Sequence, residues 1–556
     1  MSFIPLNSTL TGALIPQERR PGLSAFPIAD SAHSLLDGAL ADLDPELATV
    51  LPVPVWCGLA MQASGHPRIL IFVIAYRAEK TLERVLDRIP ASLFDSYECE
   101  VLVVDDASTD RTFTIGRTWQ AAHPQRTVTV LRNEYNQGYG GNQKVGYRYA
   151  IKEGFDHVAM VHGDGQYAPE ELPRLLEPLL KGEADVVLGS RMLEAGQARK
   201  GGMPLYKWLG NRLLTTMQNA LLGSRLSEFH SGYRIYRVAA LGCLPFTLNT
   251  NDFHFDSEIL IQFLNAGLRI VELPIPTYYG DEICYVNGLK YAGDVTRVTL
   301  QNVAHRMGVL YQRRFDVGPG DNSHYSLKTG YPSSHSMAID AVPAHTSVID
   351  LGAGPGAVAK ALVEKGCQVA VVDQHSISGD ADKVDVFLQD LDDPPVFNSK
   401  PYQRILLLDM LEHLRNPELF LQRLRSQFTH ETKTVIITTP NIAFLPERLM
   451  LLAGQFNYGK MGILDVTHTR LFTFRSLRRL LRDHGFRIKT IRGVPAPFPR
   501  AFGDGLLGRA ALTVNQALIG LSKTLFAYQI FIEAETTPEA DFVLETSKAT
   551  SQKPQP

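Results

Sequence analysis

Acidic and imidazole side chains stand directly behind short apolar runs at several points of this 556-residue chain. In order they are Ala75-Tyr76-Arg77-Ala78-Glu79, Asp105-Asp106-Ala107-Ser108-Thr109-Asp110 and His162-Gly163-Asp164-Gly165-Gln166, then Asp373, Asp390 and Asp409-Met410-Leu411-Glu412-His413. Open α/β sheets bind ligands beyond the carboxyl ends of their strands, so these are the positions where chemistry belongs. The first three segments offer polar groups to one crevice. Taken singly, Asp106 and Asp110 also suit the turn and helix-cap roles common for aspartate. The later set has the marks of a nucleoside site. Val348-Ile349-Asp350-Leu351-Gly352-Ala353-Gly354-Pro355-Gly356 runs a strand straight into a glycine turn, a pattern shared with dinucleotide binders. Asp373 would end the next strand, where a carboxylate can accept both ribose hydroxyls. Asp390 follows the third, where it could meet an adenine amine.

The elements that must position these groups are apolar strands alternating with helices, the signature of a parallel sheet covered on both faces. The first series has strands at Ile69–Ala75, Val101–Val104, Val128–Leu131 and Val158–Val161, fades after about Tyr279, and closes with a helix over 295–312. A Gly/Pro/Ser-rich boundary follows at 316–334. The second series has strands at Ser347–Leu351, Gln368–Val372, Val384–Leu388, Arg404–Leu408 and Thr434–Thr438, with a last one at Phe526–Ile532. The organisation read from this is an irregular extension at 1–66, one α/β domain at 67–315, a linker at 316–334, a second α/β domain at 335–535 and a disordered tail at 536–556. No repeat of 20 to 50 residues relates the halves.

Composition bounds the partners. The chain is 45% hydrophobic and 20% charged with a formal net charge of −3, which excludes disorder and argues against nucleic-acid binding through charge. Five scattered cysteines form no metal or disulfide pattern, and the start lacks a signal peptide, so a reducing cytoplasm is expected. No run approaches the roughly 18 to 20 apolar residues of a spanning helix, leaving at most peripheral contact with a membrane.

The segments V-I-A-Y-x-A-E-K-T-L, V-V-D-D-A-S-T-D-R-T, N-Q-G-Y-G-G-N, H-G-D-G-Q-Y, V-V-L-G-S-R and E-F-H-S-G-Y-R, in that order, resemble the family-two glycosyltransferases of GT-A fold, above all the branch with dolichyl-phosphate mannose synthase. The resemblance covers about residues 67 to 290. It implies a nucleotide-sugar donor, a polyprenyl-phosphate or glycan acceptor, and a divalent cation, Mg²⁺ or Mn²⁺, that offsets the charge growing on the diphosphate. The family's Asp-x-Asp metal motif appears here as His162-x-Asp164. Ala75, Tyr76, Glu79, Asp105 and Asp106 would line the nucleotide pocket, with Asp106 near the base or ribose, and Gly138, Gly140 and Gly141 would allow close backbone approach. Glu228 is a candidate general base, which a hydroxyl acceptor needs and an already ionised phosphate does not. Arg191 and Arg234 could hold phosphate oxygens or lie on a solvated surface. Phe255, Asp256 and Glu258 match a family segment without an assignable role.

The second domain resembles the class I S-adenosylmethionine-dependent methyltransferases, a Rossmann-like fold. It does so through Asp350, Gly352, Gly354, Gly356, Asp373 and Asp390, the Leu-Glu-His segment at Leu411–His413, Thr439-Pro440-Asn441, and Gly462 to Thr473. A dinucleotide dehydrogenase would leave the later segments unexplained. The resemblance implies one-step methyl displacement, in which the protein aligns donor and acceptor and excludes water. His413 and His468 are the candidate bases for a hydroxyl acceptor, although a loop histidine taken alone more often bonds a backbone carbonyl in a structural role, and Arg470 could bind an acidic acceptor or lie at the surface. Nothing in this segment resembles a metal-dependent methyltransferase site. The whole chain therefore reads as a bifunctional enzyme of cell-surface polysaccharide or glycolipid assembly. The alternative is a methyltransferase carrying a non-catalytic glycosyltransferase-like binding module.

Overall fold

The computed structural model describes residues 66–276, 287–317, 327, 330–375, 384–395, 397–428, 432–502 and 505–537. The expected irregular extension and most of the expected linker and tail lie outside the described residues.

Two seven-stranded sheets form. The first comprises β1 (Arg68–Ala75), β2 (Glu98–Asp105), β3 (Thr127–Arg132), β4 (His157–His162), β5 (Val186–Ser190), β6 (Arg234–Arg237) and β7 (Ile270–Pro274), in the order β3-β2-β1-β4-β6-β5-β7. Strands β3, β2, β1 and β4 are parallel, and β6 runs antiparallel between β4 and β5. All of β1 except Arg68 is buried, which explains its unbroken apolar run: helices cover both faces, and each buried Ile, Leu, Val or Phe contributes roughly 1.5–3 kcal/mol. Two apolar layers result, one on each face of the sheet.

The second sheet comprises β8 (Ser347–Leu351), β9 (Gln368–Asp373), β10 (Val384–Leu388), β11 (Arg404–Leu408), β12 (Thr434–Pro440), β13 (Phe486–Val494) and β14 (Gln529–Thr536), ordered β10-β9-β8-β11-β12-β14-β13. Its first five strands are parallel, and β14 is antiparallel to both β12 and β13. The last strand thus starts three residues later than the apolar run at Phe526 suggests, because Lys523–Phe526 closes a short helix. The helix expected over 295–312 is Gly288–Arg306.

Both sheets lie within the unit Pro52–Pro556, and the chain leaving the first packs against the second. Met307 and Val309 join a small apolar cluster with Phe444, Ile463, Ala496 and Tyr528. Lys460 Nζ pairs with Asp316 at 3.1 Å. A Cβ built on Gly308 would stand 2.8 Å from Gly462 Cα, so only glycine fits at this crossing.

Candidate functional site

Register alone gathers the first set of residues. Ala75 on β1 is level with Asp105 on β2, and Ile74 is level with His162 on β4, so the three segments open at one sheet edge. With neighbouring strands about 4.8 Å apart, the ends of β2 and β4 stand roughly 10 Å from each other across β1. Arg77, Ala107 and Asp409, one or two residues past β1, β2 and β11, hold φ of 51°, 57° and 50°. Left-handed backbone at non-glycine residues costs of order 1–3 kcal/mol and concentrates where function constrains the chain.

Asp105 is fully buried, and burial raises its pKa against hydrogen bonds from Ser108 and the charge of Arg132. Its Oδ1 accepts from Ser108 N at 3.3 Å, while Oδ2 has no hydrogen-bond partner among the described residues and faces Arg132 Nε at 3.5 Å. Asp106 is different. Its carboxylate accepts from Asn133 Nδ2 (2.8 Å), Gln137 N (2.8 Å) and Gly138 N (3.0 Å), which shapes the loop into the helix Tyr139–Lys152. Both oxygens of Asp106 are thus engaged in organising this loop. Asp110 accepts from Thr112 N and Oγ1, a turn contact one residue ahead of Arg111, the N-cap of helix Thr112–Ala122, so the expected cap role is not the one it takes. Glu79 accepts from Arg111 N at 3.2 Å, Tyr76 is exposed, and Ala75 is buried with its carbonyl taken by Asp106 N.

At the end of β4, Asp164 is exposed, and its Oδ1 accepts from Gln166 N at 2.9 Å. His162 turns inward: Nε2 lies 3.3 Å from Tyr139 Oη and against Gly232, and the ring packs edge-on to Tyr167. Burial lowers its pKa against the pull of Asp164 and Asp256. Tyr139 Oη donates to Asp256 Oδ2 at 2.9 Å, and Gln143 Nε2 donates to Asp256 Oδ1 at 3.1 Å. Tyr139, Gln143 and Asp256 thus form a buried network that sequence reasoning missed. Its signals were the N-Q-G-Y-G-G-N segment, read there for its glycines, and Asp256, matched to a family segment but left without a role.

Glu228 and Arg191 form a buried pair. Glu228 accepts from Arg191 N (2.8 Å), Arg191 Nε (3.1 Å), Arg191 Nη2 and Asn211 Nδ2 (2.7 Å). Burial pushes this carboxyl up, but the Arg191 charge and hydrogen bonds, with Asn211, outweigh it and hold the pKa below the ordinary range. A carboxylate so occupied is a poor proton acceptor. The expectation of Glu228 as general base is corrected: it positions Arg191. Arg234 is corrected too. It is neither a phosphate ligand nor solvated, for it is fully buried and donates to the carbonyls of Ser231 (2.8 Å), Asp256 (2.7 Å) and Phe229 (2.9 Å). Glu258 turns away into an ion pair with Arg314.

The second site forms at the carboxyl ends of β8, β9 and β11. Gly354 N donates to Asp373 Oδ2 at 2.8 Å, joining the glycine turn to the end of β9. Gly352 holds φ +81°, and a Cβ there would fall 2.6 Å from Met410 Cγ, so the segment after β11 lies directly over the turn. Asp350 is 2% exposed, and burial, reinforced by Asp373, pushes its pKa up to about 7. Its Oδ1 has no hydrogen-bond partner among the described residues. Asp390 is exposed, with Oδ1 accepting from Asp392 N at 3.0 Å. His413 and His468 meet edge to face with ring centroids 4.8 Å apart. Partial desolvation of the His413 ring lowers its pKa and the neighbouring His468 adds to this, against Asp465. Arg470 is exposed, 3.5 Å from Glu418.

Residues 70–244 match the family model Glycosyl transferase family 2. Undecaprenyl-phosphate mannosyltransferase of Micrococcus luteus is 31% identical over 214 residues, 37% of this chain and 82% of that protein. The chain belongs to glycosyl transferase family 2. Polyprenol monophosphomannose synthase of Mycolicibacterium smegmatis is 28% identical over 37% of this chain and 76% of its own length. UDP-N-acetylglucosamine--dolichyl-phosphate N-acetylglucosaminyltransferase of Methanococcus voltae is 28% identical over 38% of this chain and 86% of its own length. A second model, Methyltransferase domain, matches residues 327–491. The two matches fall one on each sheet, leaving β7 and β14 outside them, and both are enzyme domains that transfer groups. Within the family 2 half, Asp105 ends β2 and Asp164 follows β4 at the same sheet edge, while Asp106, Glu228 and Arg234 spend their hydrogen bonds on neighbouring protein groups.

Proposed function

We propose that the family 2 half moves a sugar from a nucleotide donor to a polyprenyl phosphate, and that the second half transfers a methyl group from S-adenosylmethionine to a small molecule or glycan. The two steps would serve one cell-surface polysaccharide or glycolipid. The observation that carries the first part is the locked state of Glu228. A hydroxyl acceptor needs a base, and the described crevice has spent this carboxylate on Arg191; a phosphate acceptor arrives ionised and needs none. The names of the relatives from Micrococcus luteus and Mycolicibacterium smegmatis support the same acceptor class.

Asp164, exposed at the end of β4 with one oxygen engaged, fits a hard cation, which would supply charge to offset the diphosphate. His162 fits less well, since its Nε2 is turned to Tyr139 and only Nδ1 could share the ion. Asp105, with an acceptor atom lacking a hydrogen bond, suits a donor group of the nucleotide base. Asp164→Ala is expected to lower sugar transfer from a nucleotide donor, assayed with Mn²⁺ or Mg²⁺ on polyprenyl phosphate, by about 100-fold or more. Equal rates would refute the role.

A lipid-linked acceptor requires access to a membrane surface. No helix among the described residues is long and apolar enough to cross a membrane. Helix Leu205–Leu222 does expose Leu205, Leu209 and Leu213, spaced four residues apart on one face, at 61%, 60% and 69%. In vesicle flotation the Leu209→Asp/Leu213→Asp protein is expected to stay at the bottom of the gradient while the wild type rises. Co-flotation of both would remove this helix from the membrane contact.

The methyltransferase half fits S-adenosylmethionine in three places. Asp373 stands at the glycine turn in the place of a ribose ligand, Gly352, Gly354 and Gly356 all adopt the left-handed backbone of a tight turn, and Asp350 offers a buried oxygen without a hydrogen bond toward a cationic group.

A further inference from the structure

We propose that Glu412, His413 and His468 together bind one divalent transition-metal cation on the methyl-acceptor side of the second sheet. What the cation does there rests on the methyltransferase reading above; that it binds does not. A carboxylate oxygen of Glu412 and one ring nitrogen of each histidine lie within 4.8 Å of one another. Ligand atoms sharing one ion stand roughly 3.4 Å apart for bonds of about 2.1 Å, so closure needs only small side-chain rotations.

The His468 tautomer is set for coordination. Its Nδ1 lies 2.9 Å from the Ile463 carbonyl oxygen, which can only accept. Nδ1 therefore carries the hydrogen, and Nε2 keeps the lone pair that a metal requires. Metal-bound histidines are held in this way by an outer partner. The backbone fixes the spacing. Thr469 N and Arg470 N donate to the Glu412 carbonyl at 2.8 and 3.0 Å, and Thr469 Oγ1 donates to the Leu414 carbonyl at 2.6 Å. The loop bearing His468 is thus stitched to the segment bearing Glu412 and His413. Glu412 is buried, His468 half-buried and His413 exposed, which gives the site a closed back and an open front. Asp409 is not a ligand, because it accepts from Thr438 Oγ1, Ser334 Oγ and Gln529 Nε2.

Two imidazoles and one carboxylate favour Mn²⁺, Fe²⁺, Co²⁺ or Zn²⁺ over Ca²⁺ or Mg²⁺, and leave coordination positions for a substrate. The ligand class that fits them is a hydroxyl with a second oxygen beside it, such as a vicinal diol. A cation-held O–H loses its proton to solvent water. The oxygen lone pair then forms the O–C bond to the methyl group as the C–S bond breaks, and that electron pair stays on sulfur to leave a neutral thioether. In this assignment both histidines are ligands rather than bases.

The test uses the full chain carrying Asp164→Asn, which removes the cation position proposed in the first half. Protein stripped with chelator, loaded with Mn²⁺ and gel-filtered is expected to retain about one equivalent by elemental analysis. The His413→Ala/His468→Ala protein on the same background is expected to retain none. Loading with Co²⁺ should give visible absorption that the double variant lacks. Retention of metal by the double variant, or none by the parent, would overturn the site. Calorimetry with S-adenosylmethionine, run alongside, separates the two readings, since metal retained without that binding sinks the methyltransferase reading alone. Where the double variant fails to bind S-adenosylmethionine through misfolding, His468→Ala alone decides by the same metal count.

Discussion

Asp350→Asn is expected to weaken S-adenosylmethionine binding about 10- to 100-fold at pH 8, the worth of a charge-assisted hydrogen bond of about 1.5–3 kcal/mol. The same change is expected to raise the melting temperature of the ligand-free protein at that pH. Both effects follow from one buried oxygen. Asp350 has its carboxyl pushed up to about 7 by burial and by Asp373. A carboxyl that holds its proton more tightly in the fold than in the unfolded chain makes the wild type lose stability as pH climbs from about 4 to about 7. Asparagine does not titrate, so the variant escapes that loss, and the two proteins should converge toward pH 4. Binding of a cationic donor draws on ionised Asp350, so wild-type affinity should rise with pH and level off above about 7. Isothermal calorimetry and thermal melts at pH 5, 6, 7 and 8 read both. Unchanged affinity in the variant at pH 8 would remove Asp350 from the donor site.

Glu228→Ala is expected to destabilise the family 2 half by about 3–5 kcal/mol, because it strands the Arg191 guanidinium in a buried site. The chain's three tryptophans, Trp56, Trp119 and Trp208, all precede the second sheet, so denaturant unfolding followed by tryptophan fluorescence reports this half. Replacing both partners, as in Arg191→Met/Glu228→Met, should recover part of the loss, since an apolar pair leaves no charge unmatched. Because the Glu228 pKa is held low in the fold, the pair's contribution is fully present at neutral pH and fades only as pH falls below the ordinary carboxylate range. Near-wild-type stability of Glu228→Ala would instead return Glu228 to the list of candidate bases.

The central strands were legible because parallel strands covered on both faces have to be apolar throughout. Ile69–Ala75 and Arg404–Leu408 match β1 and β11 almost residue for residue. Strand β6, with the sequence Arg-Ile-Tyr-Arg, was not, since Arg234 is buried by hydrogen bonds to carbonyls that no local pattern reveals. Strand β13 is buried only at Phe486 and Val494, is half-buried or exposed between them at a sheet edge, and shifts register between Ile488 and Thr490, which breaks the period-two signal. At the sites, residue type and strand-end position were readable, whereas the direction of a side chain was not. Asp105 and Asp106 are adjacent in sequence; one points an oxygen without a hydrogen bond toward Arg132, and the other is consumed by a loop about thirty residues on. Glu412 lay within a quoted motif, yet its approach to His468 depends on a contact across more than fifty residues.

The glycine crossing at Gly308 and Gly462 bears on how such a fusion can evolve. Residues 307–317 face both ways: Arg314, Phe315 and Val317 pack into the sugar-transfer half, whereas Met307, Gly308 and Val309 meet Ile463, Gly462 and Tyr528, and Asp316 pairs with Lys460. Recombination that exchanged either catalytic module at the glycine- and proline-rich stretch after 317 would bring together two surfaces never fitted to one another. The heritable unit is then the pair.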